Sequence, residues 1–544
     1  MNRAGQVILV VAFSLFLFAP LVAQSAGVEG EQLELRNLAE PPEVSPSDLL
    51  DASTYRQFSA YLTDHMPFRI PATRAEAWVD VQLFHDPSHP DLVFGKDGWW
   101  FFDDYLTLGC DAPVDASFIR HRVDALQAVT EASGRQFRFI VAPGKPAIYP
   151  EYLTDDLVER SQCSIERRTQ LQAALRSDRS VISLWDPLLS EKAKIADDSP
   201  EAALYFRRDT HWTPRAASVM VREAVNSLSP GLWDDDALVQ RGTDKMYANL
   251  RYAAGLPGYD DADQWVIERP GVTFEAVDEY WVDATSDQLQ TPDDPTPQWR
   301  IEDGGTALVR TVDYPELDFH PVIRVQSAAL PGVEMIPGNT FILHDSFVRS
   351  SIWMFPTYFE DTTFAVRSLA YNSPWLIDGL ADADTFMFEI ADFGVWDEFV
   401  DSWPMLSRSV EAFWPDLERY VTPSQPDTST GLEVLDGGGW RSTNDDPQLQ
   451  LAPLAAAADD AYRLVVLDVS SNAASTAELF YAATGETFNA EQRLTQPVET
   501  GRHRIVFDLS AVADTSDGEI SLRIDPAQAD GVTVHAIDVL DVPR

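Results

Sequence analysis

Residues 340–346 read Thr340-Phe341-Ile342-Leu343-His344-Asp345-Ser346, an apolar run that ends in polar residues. The turn pair Gly338-Asn339 precedes the run and a short helical pattern begins near Phe347, which predicts a strand, a tight turn and a helix. At such a corner Ser346 stands at the carboxyl edge of a sheet, with backbone N–H groups aimed at the same point. Those groups can stabilise an oxyanion, which makes Ser346 a candidate nucleophile. The alternative is that Ser346 only caps a helix.

The sequence before this corner alternates between strand and helix patterns. Phe137–Ala142 and Ser180–Leu184 are short apolar runs of strand length. Thr213-Pro214 supplies an N-cap and a first-turn proline for a helix whose apolar residues recur at helical spacing as far as Leu228. Residues 233–337 lack periodicity and are rich in Asp, Pro and Gly, which predicts an irregular insertion with a few strands. The region before residue 422 is therefore predicted to be α/β.

The last part of the chain has an all-β pattern. Residues 422–431 carry no large apolar side chain and are predicted to be a linker. Apolar and polar residues then alternate in Arg504–Leu509 and Glu519–Asp525, with turn dipeptides between such runs. Residues 432–544 are predicted to form a small, jelly-roll-like β-sandwich. Its candidates for stacking on a sugar, which a sandwich more often uses as core, are Trp440, Tyr462, Phe480, Tyr481 and Phe488.

The first residues have the form of an export signal. Arg3 and the α-amino group carry positive charge, and Val7–Val22 follows without a charged residue. This run is shorter than the roughly 20 residues of a spanning helix and contains Pro20, so residues 1–26 are predicted to be a cleaved signal peptide. An uncleaved membrane anchor is the alternative. The protein is expected to be periplasmic or otherwise extracytoplasmic.

Export places both cysteines of the chain, Cys110 and Cys163, in a compartment where a disulfide persists. Closing a loop of that span contributes about 4 kcal/mol in the chain-entropy model. A structural disulfide is therefore expected, with a free thiol nucleophile as the alternative.

The charge balance excludes some partners. With 40 Lys and Arg against 87 Asp and Glu, the formal net charge is −47 at pH 7. Phosphate backbones are repelled by such a protein, so a nucleic-acid partner is not expected. An anionic polysaccharide is repelled as well, unless a local basic cleft or high salt offsets the charge. No phosphate loop or dinucleotide fingerprint occurs, and Pro87 breaks the helical spacing of His85 and His89, so neither a cofactor nor a metal is expected.

A candidate general base precedes the predicted helix at Pro214. Asp209 and His211 are two residues apart, so in an extended segment they point to one side and the carboxylate can fix the ring. An isolated Asp-x-His is more often a solvated surface pair. A hydroxyl nucleophile, however, needs a base and the base needs an orienting carboxylate, and Ser346, His211 and Asp209 all fall at element junctions. Together they predict a Ser-His-Asp triad.

Several short motifs in a fixed order resemble the alginate O-acetyltransferase family typified by AlgX and AlgJ, which are SGNH hydrolase-like proteins of the bacterial periplasm. The motifs are Glu34–Ala39, Asp64–Arg69, Val93–Phe102, Ala142–Pro150, Asp209–Trp212 and Asp345–Phe347. The resemblance implies a three-layer SGNH hydrolase-like domain over residues 27–421. It also implies that Ser346 is acylated, that His211 acts as base and then acid, and that Asp209 orients His211.

The resemblance further implies an enzyme that moves acetyl groups onto hydroxyls of a surface polysaccharide, alginate-like in kind, with a membrane-bound O-acyltransferase as the acetyl relay. A carbohydrate esterase with the same triad and a non-catalytic glycan-binding scaffold are the alternatives. In the scaffold alternative, the β-sandwich would bind the glycan.

Other site residues are less sharply indicated. His344 replaces the glycine that many SGNH proteins carry before Asp-Ser, and it is either a second titrating group or a buried structural histidine. Lys145 and Tyr149 follow a predicted strand end and are expected to line the substrate cleft, with a plain surface loop as the alternative. Asn372 is a candidate oxyanion-hole residue, although asparagine is also ordinary in turns.

Overall fold

The structure is a computed structural model of the chain. The residues it describes are 13, 18, 39, 41, 52–65, 69–87, 89–176, 179–196, 199–256, 258–282, 289–290, 299–310, 322–371, 373–400, 403–455, 460–509 and 519–544. The predicted signal segment 1–26 therefore lies outside the described residues, apart from positions 13 and 18. No helix within the described ranges is long and apolar enough to cross a membrane.

The α-helices and the strands of the first 391 residues follow one another along the chain. The helices are α1 Ala52–Asp64, α2 Arg69–Val79, α3 Asp104–Thr107, α4 Ala116–Ala132, α5 Lys145–Ile148, α6 Asp155–Arg160, α7 Gln162–Leu175, α8 Trp185–Lys192, α9 Pro214–Leu228, α10 Asn249–Ala253, α11 Arg367–Ala370, α12 Trp375–Ala381, α13 Val395–Glu398 and α14 Met405–Leu417. The strands are β1 Leu92–Phe94, β2 Trp100–Phe102, β3 Gln136–Ala142, β4 Val181–Ser183, β5 Leu238–Tyr247, β6 Tyr259–Ile267, β7 Val272–Val282, β8 Leu289–Gln290, β9 Trp299–Glu302, β10 Ala307–Arg310, β11 Val322–Ala329, β12 Ile336–His344, β13 Phe359–Val366 and β14 Thr385–Ala391.

The chain forms two compact units. One comprises Met1–Phe94 with Ala248–Gly258, and the other comprises Gly95–Tyr247 with Tyr259–Arg544. In the first unit Gly255 has a φ of 74°, and a Cβ there would lie 3.2 Å from the Ala77 Cβ. Glycine is therefore needed where the turn after α10 approaches α2. The second unit contains both the α/β part and the β-rich end of the chain.

The second unit is built on a mixed eight-stranded sheet. Its strand order is β4-β3-β14-β12-β13-β11-β7-β8. The pairings from β4 to β13 are parallel, and those from β13 to β8 are antiparallel. The central strand β14 is buried along its whole length, which accounts for its continuous apolar sequence. In such a sheet the carboxyl ends of β3, β14 and β12 lie at one edge, where a site is expected.

Helices cover both faces of this sheet. Phe137 and Phe139 of β3 belong to one hydrophobic core with buried residues of α4, α12 and α14. On the opposite face the Arg138 guanidinium donates to the Ser227 hydroxyl at 2.9 Å and to the Ser227 carbonyl at 2.7 Å, at the end of α9. Helix α9 begins at Pro214 as predicted, with Thr213 as its N-cap residue. The predicted three-layer α/β architecture is confirmed.

Residues 233–337 are more regular than predicted. The long strands β5 and β6 pair with each other as an antiparallel ribbon, while β7 and β11 pair side by side and extend the central sheet. The local sequence could not show this, because Asp, Pro and Gly are poor strand formers and pairing with a distant strand overrides that weak preference.

The β-rich end is a sandwich of two sheets. One sheet has the order β17-β18-β26-β21-β24 with β15 joined to β26, and the other has the order β16-β19-β25-β22-β23 with β20 joined to β25. Alternate residues of β21, such as Val465 and Leu467, point into a core shared by both sheets. The strands are β15 Val421–Ser424, β16 Pro426–Thr430, β17 Leu432–Val434, β18 Trp440–Ser442, β19 Gln448–Leu451, β20 Leu454–Ala455, β21 Ala461–Ser471, β22 Ser475–Ala483, β23 Arg493–Val498, β24 Gly501–Asp508, β25 Glu519–Asp525 and β26 Thr533–Pro543.

The prediction of a linker at residues 422–431 is wrong. Strand β15 pairs with β26 and strand β16 pairs with β19, so this segment enters both sheets of the sandwich. Each strand has a single pairing partner, and most of its side chains are exposed. Backbone hydrogen bonds hold such edge strands without apolar side chains, and edge positions tolerate Pro423 and Pro426. Composition alone therefore could not distinguish these edge strands from a linker.

The sandwich and the α/β part share one core. Leu464 and Val466, on the other face of β21, belong to the same hydrophobic cluster as buried residues of α4 and α14. Ion pairs flank this core, with the Arg504 guanidinium 2.9 Å from the Glu411 carboxylate and the Arg408 guanidinium 2.6 Å from Glu499. Deletion of the sandwich would therefore expose an apolar face of the α/β part, with a loss of stability that comes from the exposed area.

The predicted disulfide between Cys110 and Cys163 is present, with Cα atoms 5.8 Å apart. It joins the loop after α3 to α7. The Arg167 guanidinium, on the same helix, donates to the carbonyls of Gly109 at 2.7 Å and Val114 at 2.6 Å. Both interactions fix the same loop.

Candidate active site

Ser346 lies at the corner that the sequence predicts. Strand β12 ends at His344, and Ser346 begins the 3-10 turn Ser346–Ser351. Asp345 caps this turn, because its Oδ1 accepts a hydrogen bond from the Phe347 N–H at 2.9 Å. Its other oxygen, Oδ2, accepts the Ala391 N–H of the neighbouring strand β14 at 2.8 Å. The capping function belongs to Asp345, which leaves the Ser346 hydroxyl for another partner.

That partner is His211. The Ser346 hydroxyl donates to His211 Nε2 at 2.7 Å, although the two residues are 135 positions apart. His211 Nδ1 lies 2.7 Å from Asp209 Oδ1, and because a carboxylate only accepts, Nδ1 carries the proton of this bond. The same carboxylate oxygen accepts the His211 backbone N–H at 2.8 Å. The three residues thus form one hydrogen-bonded line.

Burial changes along this line. Asp209 is 1% exposed, whereas the His211 side chain is 16% exposed and Ser346 is partly exposed. The carboxylate is therefore shielded from water, while the hydroxyl end can meet a substrate. This arrangement holds the imidazole in the tautomer that accepts the hydroxyl proton, and it stabilises the imidazolium that results. It is suited to nucleophilic acyl chemistry.

The loop of Asp209 and His211 is fixed on either side. The Trp212 indole N–H donates to the Phe347 carbonyl at 2.8 Å, and the Trp212 ring meets the Phe347 ring edge-on with centroids 5.0 Å apart. The loop is therefore connected directly to the turn that carries Ser346. On the other side, the Thr213 backbone N–H donates to the Leu204 carbonyl at 2.8 Å, which closes the loop at its base.

Lys145 and Tyr149 do not lie where the sequence led us to expect. Lys145 is 1% exposed and Tyr149 is 4% exposed, so both are buried. The Tyr149 hydroxyl accepts the Leu204 N–H at 2.9 Å, and the Lys145 ammonium donates to three carbonyls of the loop before His211. Their side chains support the loop from inside, because the chain turns inward after β3 and does not continue along the surface.

His344 is a buried residue. Burial lowers its pKa to about 4, so the ring is neutral at pH 7. Its Nδ1 lies 2.5 Å from the Asp345 carbonyl, to which it donates. His344 is therefore a structural histidine of the nucleophile turn and does not titrate in the neutral range. Asn372, the candidate oxyanion-hole residue, lies outside the described residues.

Glu389 is a site residue that the sequence analysis missed. It is fully buried on β14, and its Oε2 accepts the Asp345 N–H at 3.1 Å. Burial and the nearby negative charge of Asp345 raise the pKa of Glu389 well above its usual range, so the group is a neutral acid. A glutamate inside the apolar run Thr385–Ala391 was the available signal, since a buried acid needs a partner.

Tyr105 is a second such residue. Its ring stacks on Phe393 with centroids 3.9 Å apart. Burial, followed by the negative charges of Asp345 and Asp209, raises the pKa of the Tyr105 phenol, so the hydroxyl keeps its proton. No motif marked Tyr105, because its proximity to these acids exists only in the folded chain.

The remaining candidate groups fall outside this site. Within the part of the chain that the structure describes, no cluster of His, Cys, Asp or Glu is arranged to hold a metal ion. In the sandwich, Trp440, Tyr462 and Phe480 are each no more than 8% exposed. The Arg523 guanidinium lies over the Phe480 ring at 4.1 Å and over the Phe488 ring at 5.6 Å. Trp440, Tyr462 and Phe480 are core residues and do not form a sugar-stacking surface.

A parallel α/β sheet with a serine after one central strand, paired to an Asp-x-His loop, defines an SGNH hydrolase-like domain. Residues 92–241 match the family model described as "SGNH hydrolase-like domain, acetyltransferase AlgX". The matched region includes Asp209 and His211 and ends before Ser346. The α/β domain is therefore of the AlgX/AlgJ type, and the resemblance seen in the sequence motifs is confirmed.

Similar proteins include two named "Probable alginate O-acetylase AlgJ". That of Pseudomonas syringae pv. tomato is 21% identical over 189 residues, which is 35% of this chain and 46% of the relative. That of Pseudomonas aeruginosa is 27% identical over 176 residues, 32% of this chain and 42% of the relative. The alignments thus span less than half of these relatives. Pseudomonas aeruginosa AlgX, a solved structure, has a TM-score of 0.37 and 15% identity, covering 83% of this chain and 94% of that chain.

Proposed function

We propose that this protein is an exported SGNH-type serine O-acetyltransferase, which moves acetyl groups onto hydroxyls of a surface polysaccharide through an acyl-Ser346 intermediate. The observation that carries the proposal is the line from the Ser346 hydroxyl through His211 to the buried Asp209, with both hydrogen bonds at 2.7 Å. Its open end is the nucleophile, as acyl transfer requires.

In the first half-reaction the Ser346 oxygen attacks the acetyl carbonyl of a donor ester while His211 Nε2 takes the hydroxyl proton. The imidazolium is stabilised by Asp209, which remains ionised. The tetrahedral intermediate places negative charge on the former carbonyl oxygen. We propose the Ser346 backbone N–H as one donor to that oxygen, since N–H groups at the start of a helical turn lack intrahelical partners. The Phe347 N–H is engaged by Asp345, as is the Gly144 N–H by Asp392. The donor's leaving oxygen then takes the proton from His211.

In the second half-reaction the neutral His211 removes a proton from an acceptor hydroxyl, which attacks the acetyl-Ser346 carbonyl and releases Ser346. A sugar hydroxyl gives acetyl transfer, and water gives hydrolysis. The triad performs both reactions with the same groups, so the acceptor that reaches Ser346 decides between them.

The names of the relatives support alginate-like polysaccharide as the acceptor class, because the AlgJ proteins are named as alginate O-acetylases. We propose that the acetyl group reaches this protein from a membrane-bound O-acyltransferase and that the reaction takes place in the periplasm or another extracytoplasmic compartment. The net charge of −47 opposes a polyuronate acceptor at low salt. Transfer to a uronic oligosaccharide is therefore expected to rise with ionic strength, whereas transfer to a neutral one is not.

The test uses the purified exported part of the chain with a chromogenic acetyl ester, with and without short uronic and neutral oligosaccharides. Ester loss and acetylated sugar are followed together, the latter by mass spectrometry. Wild type is compared with Ser346→Ala and with the control Ser429→Ala, which changes an exposed serine of the sandwich.

Acetylated sugar that depends on Ser346 and survives Ser429→Ala supports the transferase and identifies its acceptor class. Acetate release without acetylated sugar, also dependent on Ser346, would replace the transferase with the esterase. Activity that is equal in wild type and Ser346→Ala would exclude the acyl-serine mechanism.

A further inference from the structure

The buried Lys145 ammonium is bound to the loop that carries the base. Lys145 Nζ donates to the Asp209 carbonyl at 2.7 Å, to the Arg207 carbonyl at 3.1 Å and to the Phe206 carbonyl at 3.2 Å. The side chain is 1% exposed, and its Nζ lies 5.1 Å from the centre of the Phe101 ring. The cation therefore has no access to a substrate and is directed entirely at this loop.

An acid binds the same loop at another point. Asp260, on β6, is 5% exposed. Its Oδ2 accepts the Arg208 backbone N–H at 2.6 Å and its Oδ1 accepts the Arg208 guanidinium N–H at 2.9 Å. Carbonyls on both sides of residue 208 are thus held by a cation, and the N–H of residue 208 is held by an anion.

We propose that Lys145 and Asp260 are positioning residues that together clamp residues 206–209, and thereby hold the Asp209 carboxylate and the His211 ring in line with Ser346. The proposal rests on the proposed function for its catalytic consequence, but the clamp itself is a physical property of the loop. It assigns Lys145 and Asp260 a role that neither the motifs nor the triad geometry requires.

The three acceptors explain why the clamp uses a lysine. An ammonium has three N–H donors, one for each carbonyl, whereas a neutral amine has two donors and a lone pair that would face an oxygen. Loss of the proton therefore weakens at least one of the three contacts. Since displacements of about 1 Å in a catalytic group reduce rates about 100-fold, a weakened clamp is expected to slow catalysis.

The protonation state of Lys145 changes near neutrality. Burial lowers its pKa from 10.5 to about 7, and the negative charges of Asp209 and Asp260, the ionisable groups that act on it, oppose this shift. The lowered pKa costs the fold stability at low pH, and this cost disappears as the pH rises from about 7 to 10.5. Deprotonation of Lys145 therefore does not unfold the protein. A loss of activity above neutral pH that depends on Lys145 would report the geometry of the loop.

The first measurement is amide hydrogen exchange of residues 204–213 in the full chain, with Lys145→Met as the test variant. The control is Lys194→Met, whose side chain is 61% exposed. We expect Lys145→Met to speed exchange of these loop amides about tenfold or more, with β14 amides unchanged, because the clamp opposes a local opening. Unchanged exchange in the loop, or an equal rise in β14, would overturn the clamp whether or not the protein is an acetyltransferase.

The second measurement is the pH profile of kcat and KM on a small acetyl ester. We expect Lys145→Met to lower kcat about 100-fold, to change KM less than about threefold and to abolish the decline of kcat above neutral pH. Wild-type kcat and an unchanged alkaline decline in Lys145→Met, with Ser346→Ala inactive, would overturn the clamp and leave the proposed function intact. Full activity of Ser346→Ala would instead refute the proposed function, and loop exchange would still decide the clamp.

Two milder variants keep the test valid if Lys145→Met folds poorly. Lys145→Gln retains two N–H donors without the charge, and Asp260→Asn removes the anion with little change of shape. Each is expected to show loop exchange and kcat between those of wild type and Lys145→Met. Wild-type values of both quantities in both variants would refute the clamp.

Discussion

The two halves of the candidate site are held in place by different physical means. The base half, with Asp209 and His211, is fixed by ionised groups: the Lys145 ammonium donates to its carbonyls and the Asp260 carboxylate accepts its Arg208 N–H. In the nucleophile half, Asp345 caps the turn of Ser346 from β14, and the acid behind Asp345 is the neutral Glu389.

The charge that develops in the reaction gives a reason for this difference. Formation of the tetrahedral intermediate puts positive charge on the imidazole and negative charge on an oxygen beside Ser346. Anions near His211 are then favourable, whereas a second anion behind Ser346 would oppose the oxyanion. A protonated Glu389 still occupies a hydrogen-bonding position at Asp345 but adds no negative charge.

The largest effect is expected for the nucleophile itself. Ser346→Ala should reduce kcat about 10⁴-fold or more, because removal of one member of a triad removes most of the benefit of the others. The melting temperature should stay near that of wild type, since Ser346 is partly exposed and the turn is capped by Asp345. Ester hydrolysis and thermal unfolding measure the two quantities. A loss of less than tenfold would remove Ser346 from the chemistry.

The orienting carboxylate should have the next largest effect. In Asp209→Asn the His211 Nδ1–H loses its ionised partner and the ring can adopt the wrong tautomer, so kcat should fall about 10³- to 10⁴-fold. Steady-state kinetics on the acetyl ester give this number. The matched control is Asp155→Asn, an exposed acid on α6, which should retain wild-type kcat. Equal kcat in both variants would separate Asp209 from the base.

Glu389→Gln tests the neutral acid in the nucleophile half. The amide reproduces the bonds of a protonated carboxyl, so kcat at pH 7 should remain within about threefold of wild type. A raised pKa means that the wild-type acid stabilises the fold at low pH and loses this contribution as the pH rises from about 4.5 through the folded-state pKa. The melting temperature of wild type relative to Glu389→Gln should therefore decrease as pH rises.

Thermal unfolding of both proteins between pH 4 and pH 9 measures this difference. Glu389→Ala serves as the companion variant, because it leaves the Asp345 N–H without its partner and should destabilise the protein by about 1–3 kcal/mol. Parallel curves for wild type and Glu389→Gln would show that Glu389 is ionised, and the contrast between the two halves would then be wrong.

The smallest effect is expected at Thr210. Its hydroxyl is 3.3 Å from His211 Nδ1, while the Asp209 carboxylate is 2.7 Å from the same atom. The shorter bond to an ionised acceptor is the stronger one, so Thr210→Val should change kcat less than about threefold and stability by about 1 kcal/mol. Kinetics and thermal unfolding of the purified variant check both values. A large fall in kcat would mean that neutral groups also position the base.

Local patterns were enough to predict the elements that carry the triad. The apolar run before Asp345 predicted a strand that ends at His344, and β12 ends there. The N-cap and proline signals at Thr213-Pro214 predicted the start of α9. Such signals involve residues near one another in the chain, so they can be read without knowledge of the fold. They placed Ser346 and His211 at element ends, although not at 2.7 Å from each other.

The supports of the site could not be predicted in this way. Asp260 lies in a region that looked irregular, and only the pairing of β6 with β5 brings it to the loop. Lys145 looked like a cleft residue because strand ends usually face solvent, yet here the chain folds inward and buries the ammonium. The edge strands β15 and β16 were mistaken for a linker because their bonds are made by backbone atoms.

The sequence by itself determined the fold class, the disulfide partners, the family resemblance and the identity of the candidate triad. These depend on residue type, spacing and order, which a linear chain displays. Only the tertiary structure decided the protonation of Glu389, the burial of Lys145 and the common core of the sandwich and the α/β part. The reason is that burial and electrostatic environment are sums over neighbours far apart in the chain, and those neighbours are defined only once the strands have paired.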